Sequence, residues 1–208
     1  QVIVRPVPLA SFTLNRDSFC TTSDTLLDTA SITNNSAGNG LQYLWTIDNG
    51  GTINDATIDT PVFTFPDNQS GDTDTFTIGL TVTSSDGCFD STTQPVYVFT
   101  RPIAGFTIDP DTCGVASVQA TDTSRYAVGW LWSVSDASVI ISDDTARNPV
   151  FTFPENNTID SIVYTITLVA TSADSCTDVT TRAVTIYPQP LVTFSGITDG
   201  CSPLDLLL

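Results

Sequence analysis

The hexapeptide PVFTFP occupies residues 61–66 and recurs, letter for letter, at residues 149–154. An identity of this length within 208 residues indicates a longer internal repeat, and repeats decide an architecture before any other pattern does. The two copies start 149 − 61 = 88 residues apart. We therefore expect further matches within the chain at about the same offset.

Further matches appear on both sides of the hexapeptide. FTIGLTVTSSDGC ends at Cys88 and matches YTITLVATSADSC, which ends at Cys176, while YLW ending at Trp45 matches WLW ending at Trp132. PLASF and PIAGF start 102 − 8 = 94 residues apart, so the first copy carries about six extra residues, which we expect as a loop insertion around NNSAGNG. The matches predict complete repeats at residues 8–100 and 101–188, with the last strand of a preceding repeat in 1–7 and the first strands of a following one in 189–208.

Each repeat alternates apolar with small polar residues. In the first copy the apolar positions are Phe76, Ile78, Leu80 and Val82. A period of two predicts strands with one buried face. Short strands separated by turn clusters within about 90 residues predict an all-β chain of tandem immunoglobulin-like sandwiches, with about seven antiparallel strands each. Trp45 and Trp132 are expected in the cores on a central third strand, with Tyr43 and Trp130 as second core aromatics on the same face.

The composition disfavours several classes of binding partner. Twenty-three acidic residues oppose 6 basic ones, for a net charge of −17, which disfavours nucleic acid and anionic membrane surfaces as partners. No segment has the eighteen or so consecutive apolar residues of a membrane helix, so no membrane insertion is expected. QVIVRP opens, and DLLL ends, in strand-like sequence, from which we expect a piece of a longer chain.

Histidine and lysine are absent, which excludes a Ser-His-Asp triad and most general bases. The aspartates lie mainly in turns, so we predict that the chain is not an enzyme and needs no cofactor. Calcium is the exception, because carboxylates are its preferred ligands. Pairs of aspartates that could bind it are Asp109 with Asp111, Asp72 with Asp74, and Asp48 with Asp55. The first pair follows the opening strand of the second repeat, where an ion could stiffen a joint; solvated turn aspartates are the alternative.

The order of these motifs carries a resemblance. Aromatic-x-Trp, an Asn/Asp-rich turn, PVFTFP, an alternating strand, a Cys-bearing turn and a closing V-x-V strand together resemble the PKD domain, an immunoglobulin-like module common in bacterial surface proteins. The W-x-F-G-D-G motif of that family is replaced by WTIDNGG and WSVSDAS. Cys-bearing arrays of this kind resemble giant secreted proteins of the Bacteroidota, which implies an extracellular or cell-surface location.

The same resemblance implies modification sites. Bacteroidota proteins are O-glycosylated at Asp-Ser/Thr-apolar triplets, and the matching acceptors here are Thr25, Thr29, Thr145 and Ser161. Sequons for N-glycosylation at Asn34, Asn68 and Asn156 are interpreted as coincidence in a chain rich in Asn, Ser and Thr.

The five cysteines occupy two positions per repeat. Cys20, Cys113 and Cys201 lie between the first and second strands, and Cys88 and Cys176 lie in the turn before the last strand. These positions are at opposite ends of a sandwich, about 20 Å apart, whereas bridged Cα atoms lie within about 7 Å. We therefore predict an interdomain Cys20–Cys176 disulfide, with the other three cysteines pairing to neighbouring repeats. Intradomain Cys20–Cys88 and Cys113–Cys176 bridges, or free thiols, are the alternatives.

These features predict a structural segment of an extracellular stalk, adhesin or fibre that provides length and mechanical continuity. Its expected partners are neighbouring repeats of the same chain and lateral or end-to-end copies in a fibre. The alternative is a carbohydrate- or protein-binding accessory module of a secreted enzyme or adhesin tip. Such modules expose aromatic platforms, whereas the aromatics here fall mainly on expected inward positions.

Overall fold

A computed structural model describes residues 4–21, 28–109, 111–113 and 116–189. These residues form strands and no helix, and nothing in this part of the chain has the helical length and hydrophobicity to cross a bilayer. The first repeat contains β1 (Phe12–Leu14), β2 (Ser18–Cys20), β3 (Asp28–Asn34), β4 (Gln42–Ile47), β5 (Thr52–Ile53), β6 (Val62–Phe65), β7 (Asp74–Thr83) and β8 (Phe89–Phe99). The second contains β9 (Phe106–Thr107), β10 (Asp111–Cys113), β11 (Ala116–Gln119), β12 (Thr121–Asp122), β13 (Gly129–Val134), β14 (Ile140–Ile141), β15 (Val150–Phe153), β16 (Ile162–Thr171) and β17 (Thr177–Tyr187).

The first repeat is an immunoglobulin-like sandwich of two four-stranded sheets, ordered β1-β3-β6-β5 and β2-β8-β7-β4. Its opening strand is divided: β1 pairs antiparallel with β3, and β2 then crosses to the other sheet, where it pairs parallel with β8. Counting β1 and β2 as one divided strand gives the seven expected from the sequence. The division brings Cys20 to the end of β8, opposite Phe99.

The second repeat has the same pairing. One sheet is ordered β10-β17-β16-β13, and the facing strands are β11-β15-β14 with β12-β9 beside them. β10 pairs parallel with β17 as β2 does with β8, and Cys113 lies opposite Tyr187. Each repeat has a buried cluster of its own, so each sandwich has a separate hydrophobic core.

The repeated hexapeptide forms the strand that faces the tryptophan of each core. Phe63 and Phe65 on β6, and their counterparts on β15, are fully buried. Trp45 is 1% exposed and packs edge-to-face on Phe12 and Phe63 at centroid distances of 5.1 and 5.9 Å. Its indole N–H donates to the Ile58 carbonyl at 3.0 Å, which satisfies the one polar atom of a buried Trp. The hexapeptide recurs because each core needs the same two rings.

The second core repeats this arrangement around Trp132. The ring is 2% exposed, packs on Phe106 at 4.9 Å, and donates to the Ala146 carbonyl at 2.9 Å. Tyr43 and Trp130 are partly buried against the two cores. One detail of the expectation is wrong: the tryptophan strands β4 and β13 are edge strands of their sheets, not central ones. They still bury their rings because the opposite sheet covers that face.

The expected site of the insertion is also wrong. Ala30 pairs with Phe63 and Val118 pairs with Phe151, so the two copies are already in the 88-residue register at β3, before NNSAGNG. Cys20 and Ala30 are 30 − 20 = 10 residues apart, whereas Cys113 and Val118 are 118 − 113 = 5 apart. Most of the extra length therefore lies between the opening strand and β3.

A buried asparagine organises the loop after each hexapeptide strand. Asn68 is 1% exposed and donates to the Asp72 and Val98 carbonyls, both at 2.7 Å. Asn156 is equally buried and donates to the Asp160 and Ile186 carbonyls at 2.8 Å. Both amides hold the loop against the last strand of the sandwich. These two sequons therefore encode a structural side chain.

Candidate functional site: the joint between the repeats

A disulfide joins the two sandwiches. We call the end of a sandwich that carries the turn before its last strand the upper end, and the end at which the last strand finishes the lower end. The bond connects the lower end of the first sandwich to the upper end of the second. Cys20 ends β2, and Cys176 lies in the turn between β16 and β17. Their Cα atoms are 5.4 Å apart and the bond spans 156 residues of sequence. This is the interdomain pair that the sequence predicts. Neither alternative intradomain bridge is formed, because Cys88 and Cys113 are free thiols.

An arginine from the link between the repeats lies beside the disulfide. Arg101 is 5% exposed, and its guanidinium is 3.1 Å from the Asp67 carboxylate of the first repeat and 3.2 Å from the Asp178 carboxylate of the second. Its backbone N–H donates to the Asn68 carbonyl at 2.9 Å. A single planar cation thus bridges carboxylates on both sandwiches, a geometry for which the guanidinium fork is suited.

The Asp67 carboxylate is held in its charged form. Partial burial by itself would raise its pKa, but hydrogen bonds from Arg101 and Thr21, together with the Arg101 charge, hold the pKa below its ordinary value. The Thr21 hydroxyl donates to this carboxylate and also accepts from the Asn68 backbone N–H at 3.3 Å. The residue next to Cys20 is therefore tied into the same network as Arg101.

Asp178 fixes the start of the second repeat. One carboxylate oxygen accepts from Arg101, and the other accepts the Ala104 backbone N–H at 2.8 Å. Asp90, 178 − 88 = 90, makes the same bond to Ala10 at 2.9 Å. The contact to the opening strand is thus present in both described repeats, and at the described joint Asp178 adds the contact to Arg101.

Close packing adds to these bonds on another side of the joint. Gly71 of the first repeat has φ +101°, and a Cβ placed on it would lie 2.7 Å from Cε1 of Tyr126 in the second repeat. Tyr126 is itself in the left-handed region at φ 59°. The ring thus lies directly on the glycine backbone, and a side chain at position 71 would displace it.

The two free cysteines lie at the outer ends of the pair of repeats. The turn Ser84–Cys88 closes with a 2.8 Å backbone bond from Ser84 to Cys88, as Ser172 does with Cys176. Cys113 ends β10 as Cys20 ends β2. Cys88 is partly buried and Cys113 exposed. Their pairing with neighbouring repeats stays a prediction, and Cys201 lies outside the described residues.

The calcium candidates are not brought together. Among described residues no group of three or more acidic, cysteine or histidine side chains is arranged to hold a metal ion. Asp111 pairs with Thr185 near the far end of β17, so the Asp109–Asp111 pair lies away from the joint that it was expected to stiffen. Asp72 contributes its carbonyl to the loop near the joint, and Asp55 caps its own turn through Thr57 at 2.7 Å. At this joint Arg101 supplies the bridging positive charge. Calcium binding stays a prediction.

The glycosylation candidates fall on the surface where they are described. Thr29, Thr145 and Ser161 are exposed, and the Thr145 hydroxyl donates to Asp143 at 2.7 Å. Thr25 lies outside the described residues. Glycosylation stays a prediction.

Surface recesses bear on the alternative function. A shallow recess of about 400 Å³ lies over the disulfide and is lined by the two cysteines, Val179 and polar residues that include Arg101. Another, of about 470 Å³, contains Tyr43 beside Asp59. Burial first, and then the charge and hydrogen bond of Asp59, raise the pKa of Tyr43. Exposed aromatic side chains among the described residues include Phe89 beside Cys88, at 68%, and Tyr97 and Tyr187, at 39% and 43%.

The sequence predicts the disulfide but not the ion pairs that lie beside it in the joint. Arg101, Asp67 and Asp178 come from three separate segments, so their meeting depends on how the two sandwiches stack. One signal was available: Arg101 is one of 6 basic residues, and it lies in the short Thr-Arg-Pro link.

No protein-family model and no curated protein matches the chain. Solved structures with a similar course include the D00–D0 domain of intimin, at 13% identity over 85% of this chain and 99% of that one, with a TM-score of 0.38. Drosophila N-cadherin EC1–4 shares 14% identity over 89% of this chain and 50% of its own, with a TM-score of 0.43. Mouse cadherin-23 EC22–24 shares 13% over 86% and 67%, with a TM-score of 0.36. Similarity this low assigns no family, ligand or activity, and the fold follows from the strand pairing of the chain itself.

Proposed function

We propose that the chain is a segment of a tandem array of PKD-type immunoglobulin-like repeats, and that it acts as a stalk, adhesin or fibre segment outside a bacterial cell such as one of the Bacteroidota. Its function is to provide length and mechanical continuity, and it performs no chemistry of its own. The observation that carries this proposal is the joint, where a disulfide and a buried arginine bridge hold one sandwich to the next.

The joint supports a mechanical role because its contacts act at separate points. The Cys20–Cys176 bond prevents separation of the two ends. Arg101 connects carboxylates of both repeats, and Tyr126 packs on Gly71. Contacts at several points of an interface resist bending and rotation, whereas a flexible link would leave the domains free to move. A spacer needs this resistance, and a tethered binding domain does not.

The disulfide also supports an extracellular location. Structural disulfides persist in oxidising compartments and are rare in the cytosol. An acidic surface with a net charge of −17 keeps repeats soluble and mutually repelling, which suits a protein exposed at high local density. The partners that fit this role are the neighbouring repeats.

Small-angle X-ray scattering of the oxidised chain tests the proposal. β8 and β17 have 11 residues each, about 36 Å per strand at roughly 3.3 Å per residue. Two sandwiches stacked end to end in one fixed orientation therefore give a maximum dimension of at least about 72 Å. We expect Arg101→Gln with a reductant to add flexibility. A compact or freely hinged oxidised chain would contradict the stalk.

The accessory-module alternative is favoured by one observation, the recess with Tyr43 beside Asp59. An aromatic ring and a carboxylate are groups that bind sugars. A glycan array would distinguish the two functions: tight binding that Tyr43→Ala removes would favour the module, and no binding would favour the spacer.

A further inference from the structure

We infer that the two outer ends of the chain are matched docking faces, so that the top of the first repeat accepts the bottom of another copy of the second repeat in a repetition of the observed joint. The upper face is Gly38, Cys88, Phe89 and Asp90; the lower face is Cys113, Glu155 and Ile159. The inference rests on the proposed tandem array and extends its repeat-to-repeat contact to a second copy of this chain.

The outer ends of the chain reproduce both halves of the bonded cysteine pair. Cys88 lies in a turn with the backbone bonds of the Cys176 turn, and Gly87 has φ 80° where Ser175 has φ 66°. Cys113 is placed by parallel pairing of β10 with β17, as Cys20 is by β2 with β8. In the observed joint this arrangement brings two such cysteines within 5.4 Å.

The residues at the two outer ends also differ in size, as those of the observed joint do. In the observed joint a glycine of the lower face, Gly71, lies against a large ring of the upper face, Tyr126. Position 71 + 88 = 159 of the outer lower face is Ile159, and position 126 − 88 = 38 of the outer upper face is Gly38. The outer ends therefore also present one large side chain and one glycine, with the sides exchanged, and Leu41 and Pro8 of the first repeat pack against Gly38. Two large residues would clash, and two glycines would leave a void.

Both outer ends expose apolar side chains to solvent. Ile159 is 93% exposed and Phe89 is 68% exposed. The position equivalent to Phe89 is Thr177, which lines the recess beside Cys20 in the joint. A docked copy would cover both apolar side chains, and removing such surface from water favours association.

The charges differ from those of the observed joint. Gln189 replaces Arg101, since 101 + 88 = 189, and Glu155 replaces Asp67. Arg5, which also precedes a proline, instead supplies a cation at the upper face, where it pairs with Asp86. The outer contact therefore depends more on the disulfide and the apolar residues than on a buried ion bridge.

Formation of a disulfide across the contact joins the Cys88 and Cys113 sulfur atoms and releases two protons and two electrons. A disulfide oxidant accepts the electrons; glutathione disulfide does so in the test and is reduced to two molecules of glutathione. Thiol–disulfide exchange proceeds through a mixed disulfide, so repeated exchange selects the pairing that the docked faces favour.

The test uses two full-length variants that keep Cys20 and Cys176. One retains only Cys88 as a further thiol (Cys113→Ser, Cys201→Ser), and the other retains only Cys113 (Cys88→Ser, Cys201→Ser). Equal amounts are mixed in a glutathione redox buffer, and the disulfide dimers are identified by non-reducing mass spectrometry. We expect the heterodimer to exceed clearly the half of all dimers that random pairing gives.

Ile159→Asp in the Cys113 variant should return the heterodimer to the random share. Ile140→Asp is the matched control, because Ile140 is 67% exposed on β14 and belongs to neither face. A random share in the unsubstituted pair, or an equal loss with both substitutions, would overturn the matched faces. Either result would leave the scattering test of the stalk unaffected, so the two ideas fail separately.

Discussion

Reduction of the Cys20–Cys176 disulfide should change how far the chain extends under force. When the chain is pulled from its two ends, tension passes from Cys20 directly to Cys176. The residues between them number 175 − 20 = 155, and they include most of both cores. At about 3.3–3.6 Å per extended residue, the disulfide keeps roughly 510–560 Å of chain from extending under the applied force. Only the residues before Cys20 and after Cys176 can then be drawn out.

Single-molecule force spectroscopy measures this length. We expect the oxidised chain to show no unfolding steps from the bypassed residues, and the reduced chain to show steps that add up to the hidden length. Cys113→Ser should behave as the parent, because Cys113 is a free thiol. Intradomain Cys20–Cys88 and Cys113–Cys176 bridges would hide only 67 + 62 = 129 residues, roughly 430–460 Å. A difference of that size, or none, would refute the interdomain path.

Three further substitutions test the cores and the joint by chemical or thermal unfolding. Asn156→Ala removes the amide donor to the Asp160 and Ile186 carbonyls and should cost about 1–3 kcal/mol, whereas exposed Asn157→Ala should cost little; equal costs would contradict the structural role. Trp45→Phe loses the indole hydrogen bond and part of the core packing and should cost about 1–3 kcal/mol, against a small effect for half-exposed Leu44→Ala. Because the pKa of Asp67 is lowered in the folded state, its contribution is present above its ordinary pKa of about 3.9 and is lost as pH falls through the lower folded value. Melting temperature should therefore fall more between about pH 4 and pH 2 for the parent than for Asp67→Asn, and parallel curves would contradict this.

The strand pattern of the sequence predicts burial, but it does not predict the hydrogen bonds of the loops. The alternation of Phe76, Ile78 and Leu80 predicts which residues are buried, because every second side chain of a strand lies on the same face of the sheet. The sequon pattern at Asn68 and Asn156 carried no such constraint. Its meaning depends on carbonyls about 30 residues away, at Val98 and Ile186, which only the folded sandwich brings within reach.

The sequence by itself determined the repeat, its 88-residue period and the all-β sandwich, and it predicted the pairing of Cys20 with Cys176, which the structure confirms. Each follows from local periodicity or from the two ends of a strand, which a linear pattern specifies. The tertiary structure alone decided that the tryptophan strands are edge strands, that the insertion precedes β3, and that Arg101 bridges two carboxylates. Those features depend on which segments meet across sheets and across the joint, and distances between non-adjacent segments are set by packing of the whole chain.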